Sequence, residues 1–267
     1  MTSCDPNIWA DRYSEALKPG VIRLRAETRG EPVRGLADLE IEVACDQLKL
    51  GLQRVNLITA QTEAIIILCL ERALAHARAV YADPTAALRA AYQGVVVRED
   101  NWPVLLTGLA GVGKSRIRLS IQRVLSGSTR IRVDDAHPEI PLIEYTDCKI
   151  AQQSSVLEVL RPLAHPEIAS GAIKVKTSDI SLRCAAWQRE VGSCLLGVDE
   201  TQFMAQSETA HTLIARTLLA IAAIGLPWFY NANYSLVWKL LARPPEAVQR
   251  LIGHPIVLLP DPPNSRD

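Results

Sequence analysis

The stretch GLAGVGKS, residues 108–115, decides the fold because it is a complete phosphate-binding loop. The apolar residues 103–106 before it predict a buried strand, and the apolar spacing within residues 116–124 predicts a helix behind it. Glycines allow consecutive backbone N–H groups to point at one anion, and the start of a helix adds positive potential. The stretch therefore predicts a binding site for a nucleoside triphosphate.

Two side chains of this loop have expected roles in the chemistry. Lys114 is expected to contact the β- and γ-phosphates, and the hydroxyl of Ser115 is expected to coordinate Mg²⁺. The residues expected to bind the nucleotide are Gly108, Gly111, Val112, Gly113, Lys114, Ser115 and Arg116.

Composition narrows the class of protein. The 267 residues include 29 Lys and Arg against 29 Asp and Glu, so the net charge is zero and any nucleic-acid contact requires a local basic patch. The six cysteines are scattered without a Cys-x-x-Cys pair, which favours free thiols in a reducing compartment. The N-terminus does not resemble a signal peptide, and no apolar run reaches the roughly 20 residues of a membrane span. We therefore expect a soluble, cytoplasmic protein that does not bind a membrane.

The chain divides into three predicted regions. Residues 1–55 show no sustained periodicity of apolar residues. They predict a partly irregular N-terminal arm, with at most a short helix near Leu36–Leu48. Residues 56–100 predict lead-in helices, of which the second begins at Asp83-Pro84. Residues 101–267 predict an α/β domain.

Short apolar strands alternate with helical segments in this third region. The predicted helices lie near residues 114–125, 154–164, 179–191 and 207–223. The predicted strands are Val104–Thr107, Leu142–Thr146, Cys194–Asp199, Trp228–Asn231 and Ile256–Leu259. This alternation predicts a doubly wound, five-stranded parallel sheet with helices on both faces.

A second motif supplies two carboxylates at the end of an apolar strand. Asp199 suits a Walker-B role, in which it holds Mg²⁺ together with Ser115. Glu200 suits the role of general base toward an attacking water molecule. No Asn-Lys-x-Asp motif for guanine occurs, which disfavours a GTPase.

A third motif places asparagines after the predicted strand that begins at Trp228. A strand inserted between those of the two Walker motifs would direct an amide toward the γ-phosphate. Asn233 is the first candidate for that amide and Asn231 the alternative, while a simple helix-capping role stays open for both.

In the order and wording of these motifs, residues 79–260 resemble the AAA+ ATPases of the TnsC/TniB type, which regulate target choice in DNA transposition. The resemblance rests on the phosphate loop, on the second strand at residues 143–148, on residues 196–202, which echo an Asp-Glu-x-Gln box, and on residues 224–227 leading to Asn233. It implies a three-layer AAA+ domain that binds ATP and Mg²⁺, with Lys114, Ser115, Asp199, Glu200 and Asn233 in the roles given above.

The resemblance also implies partners. Members of this family assemble as rings or filaments around duplex DNA and signal to a transposase, together with target-selection proteins. An arginine finger from one subunit completes the next subunit's site, and the candidates here are Arg250 and, second, Arg243. Lys174 and Lys176 are candidates for non-specific contacts to DNA phosphates. The tail after Leu259 is too short for the helical lid of this family, so we expect the lid to be absent.

Three functions follow from these patterns. The first is an ATP-hydrolysing regulator of transposition that assembles on DNA in an ATP-dependent way. The second is another AAA+ or STAND-type switch, or a helicase-loader-like NTPase. The third, a small-molecule kinase, is disfavoured because the sequence shows no segment suited to an acceptor pocket.

Overall fold

A parallel sheet of five strands lies at the centre of the computed structural model, which describes residues 7–83, 86, 101–131, 139–150, 155–199 and 208–260. The strands are β1 (Val104–Gly108), β4 (Thr146–Lys149), β5 (Leu196–Asp199), β6 (Trp228–Asn231) and β7 (His254–Leu258). Their order across the sheet is β4-β5-β6-β1-β7, and every neighbouring pair is parallel. The predicted five-stranded parallel sheet is therefore confirmed.

Helices cover both faces of the sheet, which makes three layers. On the first face lie α1 (Ile8–Ala16), α2 (Val21–Ala26), α4 (Ala60–Val80) and α5 (Lys114–Val124). On the second face lie α6 (Val156–Leu160), α7 (Pro166–Ala169), α8 (Ile180–Glu190), α9 (Glu208–Ala222), α10 (Tyr234–Leu241) and α11 (Pro245–Leu251). Along β1 the side chains alternate, with Val104 and Leu106 toward the first face and Leu105 toward the second, as expected for a strand buried on both sides.

The second predicted strand was wrong in its placement. Residues 140–143 form β3 (Ile140–Ile143), which pairs antiparallel with β2 (Ser128–Ile131) in a separate ribbon. The strand that joins the parallel sheet begins only at Thr146, whose N–H donates to the Leu195 carbonyl at 3.0 Å. The single predicted strand, Leu142–Thr146, thus overlaps two strands in different sheets, and periodicity alone does not mark the division between them.

The N-terminal region contains more helix than the sequence predicts. Besides α1 and α2, it holds a 3₁₀ turn (Leu36–Asp38) and α3 (Ile41–Arg54), which exposes most of its surface. The buried side chains of Trp9 and Tyr13 explain the position of α1. Tyr13 Oη donates to the Glu144 carbonyl at 2.6 Å, and the Trp9 ring stacks on Tyr81 with centroids 5.3 Å apart. With nine and six residues, α1 and α2 are too short for a helical period to be recognised before their partners are known.

Two further expectations concern residues that lie mostly outside the described ranges. The second lead-in helix, at Asp83-Pro84 and beyond, lies outside the described residues apart from Asp83 and residue 86, and so does the tail from residue 261. The division of the chain at residues 55 and 100 stays a prediction. Within the described ranges, no helix combines the length and apolar character needed to cross a bilayer.

Candidate nucleotide-binding site

The phosphate-binding loop connects the carboxyl end of β1 to the first turn of α5, as the sequence predicts. Gly111 and Gly113 adopt φ values of 85° and 91°, and nothing lies within 4 Å of the Cβ that either would carry. These two glycines are therefore required by backbone conformation rather than by crowding. Their positive φ turns the chain so that it surrounds a space for an anion at the start of α5.

Gly108 has a different requirement. A Cβ at this position would lie 2.6 Å from the Leu258 carbonyl oxygen on β7. Because β1 and β7 are neighbouring strands, the absence of a side chain here allows the loop to leave the sheet beside the end of β7.

Lys114 lies over the loop that it follows. Its Nζ donates to the Gly108 carbonyl at 3.0 Å and to the Leu109 carbonyl at 2.7 Å. Partial burial lowers the pKa of Lys114. The ammonium group is thus held inside the curve of the loop, where a phosphate group would be bound.

Ser115 and Asp199 come together as predicted for a metal site. Ser115 Oγ donates to Asp199 Oδ1 at 3.4 Å, and Asp199 is almost completely buried at the end of β5. A hydroxyl and a carboxylate oxygen are hard donors of the kind that Mg²⁺ prefers. These residues fit a Mg²⁺ ion that accompanies a nucleotide.

An arginine that the sequence analysis missed bridges two carboxylates beside this pair. Arg118 Nε donates to Asp199 Oδ2 at 2.9 Å, and Arg118 Nη1 lies 2.7 Å from each oxygen of Asp147. Burial by itself lowers the pKa of Arg118, but the hydrogen bond and charge of Asp147, with Tyr145 and Asp199, outweigh burial and raise that pKa. Arg118 follows Ser115 by three residues on α5, so helical spacing could have placed it on the face of the metal site.

Asp147 is held in turn by its neighbour on the chain. Tyr145 Oη donates to Asp147 Oδ1 at 3.1 Å. The Tyr145 hydroxyl occupies the space that a Cβ on Gly197 would need, and the same Cβ would come within 2.8 Å of the Phe229 ring. The glycine in the middle of β5 therefore makes room for the side chain that supports Asp147.

The two candidate asparagines have different surroundings. Asn231, at the end of β6, is 1% exposed and donates from Nδ2 to Asp199 Oδ1 at 2.9 Å. Asn233 is the N-cap of α10, where its Oδ1 accepts hydrogen bonds from the Leu236 N–H at 3.0 Å and from Ser235 Oγ at 2.8 Å. The structure brings the alternative candidate to Asp199 and places the first candidate in the capping position.

Arg116, Lys174 and Lys176 have surroundings different from those of this cluster. Arg116 donates from Nη2 to the Gln53 carbonyl at 3.1 Å, and Glu200 lies outside the described residues. Lys174 and Lys176 are exposed on an irregular segment between α7 and α8.

The two candidate arginine fingers have different surroundings. Arg250, on α11, lines a cavity of about 600 Å³ beside Asn101 and Gly225, which precede β1 and β6. Arg243 donates from Nη2 to Thr212 Oγ1 at 3.3 Å. Arg250 is therefore distant along the strands from its own subunit's phosphate-binding loop.

Strand order identifies the fold. The strand that enters the phosphate loop, β1, is separated from the strand that carries Asp199, β5, by one inserted strand, β6. The fold is a three-layer P-loop α/β fold with one strand inserted between these two. The inserted strand delivers Asn231 to the same carboxylate that Ser115 reaches from α5, so three elements of the fold meet at Asp199.

Comparisons with known proteins give only distant likenesses. No protein-family model matches the chain, and none of the curated proteins matches it. Among solved structures, it is similar to the Aeropyrum pernix ORC1 protein in complex with DNA, with 18% identity and a TM-score of 0.40. It is also similar to the Aeropyrum pernix ORC2 protein in its ADPNP–ADP complexes, with 10% identity and a TM-score of 0.36. Each match covers 67% of this chain and 46% of the other, so the chain spans about half the length of these proteins.

Proposed function

We propose that this chain is an ATP-dependent regulator that binds ATP with Mg²⁺, hydrolyses it, and assembles on duplex DNA as a ring or filament. The observation that carries the nucleotide part is the meeting of Ser115, Asp199 and Asn231 beside the glycine loop. A hydroxyl, a carboxylate and an amide converge there from three elements of the fold, which is an arrangement suited to phosphoryl chemistry.

Each residue of the site has a distinct role in this proposal. The loop N–H groups and Lys114 bind and orient the phosphates, while Ser115 and Asp199 hold Mg²⁺, which neutralises the charge on the phosphate oxygens. Asn231 orients Asp199 and is placed to respond to the γ-phosphate, a role for which Asn233 is the second candidate. Glu200 deprotonates the attacking water.

Completion of the site by a second subunit is part of the proposal. Arg250 lines a cavity beside Asn101 and Gly225, at the end of the strands opposite its own phosphate-binding loop, which supports a role toward a neighbouring copy, and Arg243 is the second candidate. An arginine supplied in this way is worth roughly 10³–10⁵ in rate. Hydrolysis is therefore expected to depend on assembly.

The DNA and transposition parts rest on the sequence motifs. Lys174 and Lys176 are exposed and not part of a helix or strand, so their ammonium groups are accessible to phosphates. The echo of an Asp-Glu-x-Gln box at residues 199–202 supports a regulator that links target selection to a transposase. Lysine contacts of this kind bind the DNA phosphates and do not recognise the base sequence.

Sedimentation of the chain on duplex DNA, with and without a non-hydrolysable ATP analogue, tests this function. We expect the analogue to drive assembly on DNA, and we expect the double variant Lys174→Ala/Lys176→Ala to reduce the slope of log affinity against log salt by about 1–2. The double variant Lys18→Ala/Lys49→Ala, which also removes two exposed lysines, is the matched control and should behave as wild type.

Two outcomes of this experiment would contradict parts of the proposal. A chain that binds the analogue and ignores DNA would contradict the regulator of transposition and favour another AAA+ or STAND-type switch. An unchanged salt slope in Lys174→Ala/Lys176→Ala would remove these lysines from the DNA contact.

A further inference from the structure

The buried guanidinium of Arg118 joins two carboxylates that belong to different strands. It donates from Nε to Asp199 Oδ2 at 2.9 Å and from Nη1 to both oxygens of Asp147 at 2.7 Å. The Arg118 and Asp199 side chains are 7% and 6% exposed, and that of Asp147 is 23% exposed. The three side chains form one cluster beside Ser115.

We propose that Arg118, anchored by Asp147, is a positioning residue that fixes Asp199 for Mg²⁺. The inference rests on the proposed function, since the ion concerned is the one that accompanies the nucleotide. Arg118 holds Oδ2 of the carboxylate, and Oδ1 is thereby left facing Ser115 Oγ. Neither Arg118 nor Asp147 touches the nucleotide in this account.

Hydrogen bonds fix the orientation of the carboxylate from two sides. Asn231 donates to Oδ1 and Arg118 to Oδ2, so rotation of the Asp199 side chain would break a charged hydrogen bond in a buried site. Partners that orient a metal ligand in this way typically contribute about 10–100-fold to metal affinity.

Charge explains why Asp147 is needed as well as Arg118. Arg118 paired with Asp199 alone would be neutral and would offer a divalent cation little electrostatic attraction. With Asp147 the three groups carry one net negative charge, so a cation is still favoured. Asp147 also accepts from Arg118 Nη1, while Arg118 Nε donates to Asp199.

Asp147 is itself set in place by packing. The hydroxyl of Tyr145 donates to Asp147 Oδ1 at 3.1 Å, and Tyr145 fits only because residue 197 has no side chain. A series of contacts thus leads from Gly197 in β5, through Tyr145, Asp147 and Arg118, to the Asp199 carboxylate at the end of the same strand.

Binding of a fluorescent ATP derivative, measured with Mg²⁺ and again with EDTA, tests the proposal on the full chain. The readout is the Kd in EDTA divided by the Kd with Mg²⁺. This ratio isolates the contribution of the metal to nucleotide binding. We expect Arg118→Lys and Asp147→Asn to reduce this ratio by about tenfold or more, while the Kd in EDTA stays within about twofold of wild type. Glu63→Gln, which removes the distant Arg23–Glu63 ion pair, is the control and should keep the wild-type ratio.

The following outcomes would contradict the inference. An unchanged ratio in both variants, or an equal weakening with Mg²⁺ and with EDTA, would mean that the cluster supports only the fold. A larger ratio in Arg118→Lys would mean that Arg118 competes with the cation. Should Arg118→Lys not fold, Asp147→Asn decides alone, because its amide preserves the volume at a partly exposed position. Failure of the wild-type chain to bind the nucleotide in either condition would instead contradict the proposed function.

Discussion

The side-chain amide of Asn231 donates to Asp199 Oδ1 at 2.9 Å, and both residues are buried where their strands end. The same oxygen accepts a hydrogen bond from Ser115 Oγ on the first turn of α5. An asparagine on the inserted strand is therefore connected to Ser115 through a single atom of Asp199. In the proposed function, a change at the γ-phosphate reaches β6 by this contact.

Replacement of the two asparagines should have different effects. We expect Asn231→Ala to lower kcat for ATP hydrolysis, because it removes a hydrogen bond to a buried carboxylate worth about 1.5–3 kcal/mol. Asn233→Ala should instead remove the N-cap of α10 and cost about 1 kcal/mol of folding stability. Steady-state kinetics and thermal melting separate the two. Loss of turnover in Asn233→Ala with normal turnover in Asn231→Ala would reverse the assignment.

Gly197→Ala should destabilise the protein. The new methyl group would overlap with Tyr145 Oη and approach Phe229 Cζ to 2.8 Å, and such overpacking costs about 1–3 kcal/mol. Chemical denaturation measures this free energy. The double variant Gly197→Ala/Tyr145→Phe lacks the overlapping hydroxyl and should recover part of the loss in a double-mutant cycle. Additive effects of the two substitutions would show that Tyr145 does not require the glycine.

Glu200→Gln should bind ATP and fail to hydrolyse it. The amide preserves the size of the side chain but has no basic carboxylate to accept a proton from water. Nucleotide affinity and phosphate release measure the two properties separately, and Glu42→Gln, on the exposed helix α3, provides a matched control. Normal phosphate release by Glu200→Gln would show that another group is the base.

ATP affinity should fall at alkaline pH because of Lys114. Burial lowers the pKa of this lysine from its ordinary value of 10.5, and only the charged form attracts phosphate. Binding is therefore complete below the lowered pKa and lost as the pH rises through it. In Lys114→Arg, whose guanidinium has a pKa above about 12, the affinity should persist to higher pH. The same alkaline decline in both proteins would assign the titration to another group.

Local patterns in the sequence were sufficient to predict the sheet and the loop. The glycine-rich loop and β6 are short, strongly marked segments, and the structure has them where they were predicted. The break between β3 and β4 could not be predicted, because it depends on which sheet each of these short strands joins. The Arg118–Asp147 contact is equally non-local, since it requires α5 to lie over β4 and β5.

The choice between the asparagines shows the same limit. The predicted strand ended at Asn231, and Asn233 lies only two positions further along the chain. Only the end of β6 relative to Asp199 decides which amide reaches the carboxylate. The missed helix α1 likewise depends on contacts between Tyr13 and residues more than 100 positions away.

Calorimetric titration of the chain with MgATP, beside Lys114→Ala, tests the central claim most directly. We predict saturable one-site binding by the wild-type chain and loss of measurable binding in Lys114→Ala, since a charge-assisted contact worth about 1.5–3 kcal/mol is removed from a site built around phosphate. Thermal melting confirms that the variant is folded. Equal MgATP affinity in the two proteins would contradict the assignment of residues 108–115 as the nucleotide-binding loop.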